Sequence, residues 1–427
     1  MSHSIGTPPL LAIPLELREM LYKEVLLDGA AGPQLLRTCR EIYTEAEKYL
    51  YQRPLFFHSQ SILANWLDTT PKKYHDHVID ITIHLQDVDL NPLLNSTSNT
   101  QPTSSRLRSW DLYELDLKNL HKSLVRLRNV NKVTIRAVSG RQSFLYRDFL
   151  GRFLETLGDI YPAMVGLALE GNFHHQNLRF LASLLQLESF SFDGFSATSP
   201  SDTASILSDL ERLTSLSIVS HHAMLTPTNH LHSTFTEKTQ SFTDTVVRNM
   251  NRLASFHLVE RTFPEQSPSL FFTSDVLASL HSHSSLTKLT LNLSYTPVEE
   301  MLEALDNFLG HSSIESLELD WPNLDPGALS EHDLLPNTTK HFWIRAMSLD
   351  AAHDIVLNVL ESRTNGELPD LRRVVFVREP WDLMEHDAGT HQSHSSNETK
   401  ETSLPYATRN LAALGVMVSW YTEESRS

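Results

Sequence analysis

The chain has 427 residues, more than one ordinary compact core holds, so its length predicts two domains or a repeat array. Hydrophobic residues make up 40% and charged residues 20%, a globular balance rather than a disordered one. Against 52 Asp and Glu there are 35 Lys and Arg, and the net charge of −17 argues against nucleic acid or a membrane as partner, since both call for a basic footprint.

The single cysteine, Cys39, can form neither an internal disulfide nor a multi-cysteine zinc site, which favours a reducing setting, cytoplasmic and/or nuclear. The brief apolar run from Leu10 to Leu17 is broken by Pro14 and Glu16 and predicts no signal peptide. No stretch reaches the roughly 18 uncharged apolar residues of a membrane span.

The first predicted element is a helix in "IPLELREMLYKEVLL", with Pro14 at its start, where a missing N–H costs nothing. Leu17, Leu21 and Val25 follow at four-residue steps and make an apolar stripe headed by Ile13. Gly29, Gly32 and Pro33 end it. A second helix is predicted over "QLLRTCREIYTEAEKYLYQ", with Leu35, Cys39, Ile42 and Ala46 at helical spacing.

Beyond residue 70 one phrase recurs: an apolar residue, two others, an apolar residue, one other, an apolar residue. It reads "VIDITI", "VNKVTI", "MVGLAL", "LESFSF", "LTSLSI", "LASFHL", "LTKLTL", "IESLEL" and "LRRVVF", with weaker copies "TKHFWI" and "GVMVSW". The last two apolar positions of each lie two apart and so share one face of a short strand. Between copies the spacing turns helical, as at Phe149, Phe153 and Leu157, or Met301, Leu305 and Leu309. Helix starts are predicted at Ser201-Asp202, Ser274-Asp275 and Pro297. Successive copies fall from 23 residues (Leu169 to Phe192) to 52 residues (Ile83 to Ile135) apart. That is the length of one strand–helix unit with its loops, as in a solenoid. Polar residues between the apolar ones predict one wet strand face, unlike the continuous apolar strands of a doubly wound sheet.

Loops are predicted at 91–105, 221–240 and 385–402, with a shorter one over "RTFPEQSPS", all rich in Ser, Thr, Asn and Pro. Each follows a strand, so they would gather on one rim, either as a contact surface or as tolerated insertions.

The strand phrase resembles the leucine-rich repeat core L-x-x-L-x-L over about residues 75–420, though most copies lack the Asn that ordinarily follows the strand. The opening helices resemble the F-box over residues 10–57. Ile13-Pro14, Glu16-Leu17, Leu21 and Val25 match L-P-x-E-L-x-x-x-I-x-x-x-L, and Leu36, Cys39 and Arg40 match a second half that carries V-C-[KR]. Ile42 stands where that family often has Trp, and Thr38 replaces the Val. The combination is similar to many fungal F-box-like proteins with a degenerate repeat domain. The resemblance implies an α/β fold, a short helical F-box-like module followed by an irregular solenoid of alternating strands and helices. It also implies docking to the Skp-type adaptor of a cullin–RING ubiquitin ligase, with the repeats holding a protein substrate.

On that reading Ile13, Pro14, Leu17, Leu21, Val25, Leu36 and Cys39 are the adaptor-facing residues. Trp321, Trp343 and Trp381, with Phe342, are candidate substrate anchors, because they sit near strand ends and aromatics dominate binding hot spots. Core packing accounts for Phe342 equally well. The alternative is a repeat scaffold whose opening helices only cap the first repeat, since solenoids need terminal caps.

No Gly-rich phosphate loop and no G-x-S-x-G elbow occurs, so no enzyme and no cofactor is predicted. His386, His391 and His394 are dense, as are His281 and His283, but a polar loop gives the first group no fixed geometry and no metal site is predicted. Cys39 reads as a small hydrophobe rather than a nucleophile.

Overall fold

The computed structural model describes residues 9–27, 32–88, 104–221, 240–261, 269–322, 324, 326–346, 348–378 and 403–422. The predicted loops fall outside these residues except at their edges, and Trp381, His386, His391 and His394 fall outside them altogether. The chain divides into two compact units, residues 1–176 with 183–187, and residues 177–182 with 188–427.

The first unit opens with three helices, α1 (Leu15–Leu27), α2 (Gly32–Leu35) and α3 (Arg40–Leu50). Strand and helix then alternate: β1 (Leu55–Phe57), α4 (Gln60–Thr69), β2 (Asp80–Leu85), α5 (Ser104–Leu124), β3 (Lys132–Ala137), α6 (Phe144–Ile160) and β4 (Gly166–Glu170). Each strand pairs in parallel with the next, which lines up Phe57, Ile83, Ile135 and Leu169 as one buried row. The helices pack side by side, α4 on α5 and α5 on α6. In α6 the predicted stripe Phe149, Phe153 and Leu157 is buried, and the Tyr146 hydroxyl donates to the Leu85 carbonyl at 2.6 Å, tying helix to strand.

The second unit continues the alternation with β5 (Ser189–Phe192), α7 (Pro200–Ser208), β6 (Ser215–His221), α8 (Asp244–Asn249), β7 (Ser255–Arg261) and α9 (Ser274–Leu280). It goes on with β8 (Lys288–Leu293), α10 (Glu299–Gly310), β9 (Ser316–Asp320), α11 (Pro326–Glu331) and β10 (His341–Arg345). It ends with α12 (Leu349–Asn365), β11 (Arg373–Arg378), α13 (Ser403–Ala413) and β12 (Met417–Thr422). Again every strand is parallel to the next, and Phe190, Leu216, Phe256, Leu289, Leu317 and Phe342 form one buried row. Alternating strands and helices in chain order are the architecture of a repeat array, and all eleven copies of the strand phrase are strands.

Three expectations are corrected. The repeat layer begins earlier than residue 75, because β1 lies inside the stretch assigned to the helical module and pairs with β2. The second predicted helix is broken over 36–39, where the Thr38 hydroxyl donates to the Leu35 carbonyl at 2.7 Å and offers the backbone a turn instead. The polar strand face is not wet throughout. Thr290, Asn292, Glu318 and Asp320 on β8 and β9 are buried, with Thr290 donating to Glu318 at 3.4 Å and Arg345 paired to Asp320.

Candidate protein-docking surfaces

In α1 the Pro14 carbonyl accepts from the Leu17 and Arg18 amides at 3.1 and 3.0 Å and starts the helix where the sequence predicts. Arg18, Tyr22 and Leu26, one helical turn apart, face inward. Tyr22 and Leu26 join Leu36, Ile42, Ala46 and Tyr49 in the core of the module. Arg18 is only 8% exposed, and its guanidinium donates to both oxygens of Glu45 at 3.0 and 2.5 Å and to the carbonyls of Leu11 and Ile13 at 2.9 and 3.0 Å. The Tyr22 hydroxyl donates to Glu45 at 2.8 Å. Burial first, then this bond to a carboxylate, pushes the phenol up to about 12. On the flank Lys48 pairs with Glu19 at 2.5 Å, which holds the Glu19 carboxyl below its ordinary range.

With that face turned in, the apolar stripe faces solvent. Leu17 is 51% exposed, Leu21 44%, Val25 38%, and Met20, which the sequence reading passed over, 67%. Pro14 is exposed and Ile13 half-buried. Two residues assigned to the same surface are elsewhere. Leu36 lies in the module's own core and has no free surface to offer. Cys39 caps the start of α3 in extended backbone, half-buried, rather than sitting mid-helix.

On its other side the module is fastened to the first repeat. Glu47 of α3 accepts from Lys73 at 2.8 Å and from the Tyr74 hydroxyl at 2.7 Å, and the rings of Tyr51 and Tyr74 stack at 4.3 Å. Thus α3 carries the internal contact and α1 the outward one.

The predicted substrate anchors divide. Trp321, 1% exposed, and Phe342 are core residues, which corrects the first. Trp343 stands half-buried on the polar strand face, edge-on to Tyr421 at 5.7 Å and with the Arg373 guanidinium 5.8 Å from its ring. Parallel register sets a polar row beside it: Ser217 with His257 at 2.9 Å on β6 and β7, then Thr290 and Glu318. One row on, Asn292 lies next to Asp320. Sequence reasoning missed this cluster. Its only signal is the polar letters inside "LTLNL" and "LELD".

Among the described residues no group of three or more His, Cys, Asp or Glu is placed to hold a metal, and no helix is long and apolar enough to cross a membrane. His283 lies 2.8 Å from the Val247 carbonyl, and His281 meets the His311 ring edge-on at 5.7 Å. No protein-family model matches the chain, and no curated protein matches it either.

Proposed function

We propose that the chain is the substrate-receptor subunit of a Skp–cullin–F-box ubiquitin ligase, working in the cytoplasm or nucleus. In this reading α1 docks the Skp-type adaptor and the repeats hold a protein substrate. One observation carries it: α1 buries an arginine and leaves Leu17, Met20, Leu21 and Val25 in solvent. A short helix that gives one of its inward positions to Arg18 and turns Leu17, Met20, Leu21 and Val25 outward has an exposed apolar patch that asks for cover. The F-box resemblance supplies the adaptor as that cover. A second reading, the module as a plain cap, draws support from the Glu47–Lys73–Tyr74 contacts. It explains α3 and leaves the α1 stripe without a role.

The test is capture of a purified Skp-type adaptor by the full chain. With Leu17→Asp and Leu21→Asp together, capture is expected to fall about a hundredfold or more, since two carboxylates would have to be desolvated at the contact. Both positions are already in solvent, so circular dichroism and thermal midpoint should stay those of the native chain. Failure of the native chain to capture the adaptor would leave the cap.

A further inference from the structure

We infer that His75 is an acid-sensitive latch at the joint between the helical module and the first repeat, and that its protonation loosens the module while the strand layer stays folded. The inference goes beyond the proposed docking and does not depend on what α1 meets. His75 belongs to the 3-10 turn Lys72–His77, between α4 and β2. Its neighbour Tyr74 stacks on Tyr51 at 4.3 Å and donates to Glu47 of α3 at 2.7 Å, and Lys73 pairs with the same carboxylate at 2.8 Å. One turn thus carries both the fastening of the module and an imidazole. That side chain is buried, with His75 only 3% exposed and its ring centre 5.7 Å from that of Trp66 on α4. Among the described residues, its Nε2 has no hydrogen-bond partner.

A neutral imidazole tolerates this site, because it carries one proton and can keep it on Nδ1. The charged ring has an N–H on both nitrogens, so the Nε2 proton would be buried with no acceptor. The surrounding charges do not make good that loss. Arg126, just beyond α5, brings a guanidinium that is itself paired with Asp68 of α4 at 2.7 Å. Within the turn Lys72 and Asp76 are exposed and His77 is half-buried, and toward α3 Lys73 and Glu47 neutralise each other. Burial first, and then Arg126, hold the His75 pKa below its ordinary value, with Lys72 adding to them and the Thr70 backbone and Asp76 opposing. The folded value is the lower, so the neutral ring's contribution is whole above about pH 6.5 and is lost as the pH falls through the folded value. Relief requires the turn to open and let water reach Nε2. Opening it withdraws Tyr74 and Lys73 from α3.

Hydrogen exchange of the full chain, followed by mass spectrometry at pH 7.5 and pH 5 and corrected for the intrinsic rate at each, reads the joint directly. Protection of the turn and of α3 is expected to fall about fivefold or more at the lower pH, the effect of one buried donor left without an acceptor. Protection of β3, in the same unit, should hold. His75→Phe keeps a ring against Trp66 and takes up no proton, so the acid step should vanish. A step that survives in folded His75→Phe overturns the inference, as does the absence of a step in the native chain. An equal fall in β3 is general loosening in acid and overturns it too. A fall confined to the turn leaves the module fastened and overturns the latch. Should His75→Phe not fold, His75→Gln, equally unable to take up a proton, decides in its place: the step should vanish, and its survival overturns the inference.

Discussion

Arg18 occupies an inward position where a helix of this length ordinarily places an aliphatic residue, and its neighbours explain how the module tolerates it. The guanidinium is neutralised by Glu45 and its remaining donors go to the carbonyls of Leu11 and Ile13, so the charge is buried with partners. Arg18→Ala would strip Glu45 of its ion pair and leave two carbonyls short of a donor. The module is expected to unfold at a lower denaturant concentration than in the native chain, read by denaturant unfolding of the full chain. Tyr22, bonded to the same carboxylate, adds a pH signature. Its phenol is held up to about 12 in the folded chain, against about 10 when unfolded. The folded value is the higher, so its contribution is whole below about pH 10 and is lost as the pH rises through about 12. The stability advantage of the native chain over Tyr22→Phe should therefore be flat to pH 10 and shrink across pH 10–12 in a pH–denaturant grid.

At the scale of elements, Glu260 at the end of β7 shows how one strand residue sets the position of the next helix. Fully buried, it accepts from the amides of Leu270, Phe271 and Phe272 at 2.6, 3.3 and 3.2 Å, and from the hydroxyls of Ser269 and Tyr295 at 3.0 and 3.3 Å. This fixes the segment that leads into α9. Glu260→Ala should cost more than about 3 kcal/mol, because several buried donors would lose their acceptor at once. It should also speed hydrogen exchange at the Leu270–Phe272 amides well above the rate in β7. The strand phrase was legible because a period of two followed by helical spacing survives in a single sequence, as in "LTKLTL" before the α10 stripe. Shorter or cooperative features were not. In "PLFF" the three strand residues of β1 are too few to show a period. The start of α7 is capped by Ser199 with Pro200 next, not by Ser201, and α9 is capped by Thr273 rather than Ser274. Which side of α1 turns inward depends on Glu45, 27 residues away, and no local pattern encodes that. The acceptors at Asn292 and Asp320 likewise become a pair only when β8 meets β9.

For the whole molecule, total charge and the α1 stripe act over different ranges. The stripe is apolar and short-ranged, whereas the net charge of −17 acts at a distance. Between 0.01 and 0.1 M salt the screening length contracts from about 30 to about 10 Å. Adaptor capture through Leu17, Met20, Leu21 and Val25 should therefore change little over that range, as measured by surface-immobilised adaptor. A capture that weakened steeply with salt would mean that charge, not the apolar stripe, holds the adaptor.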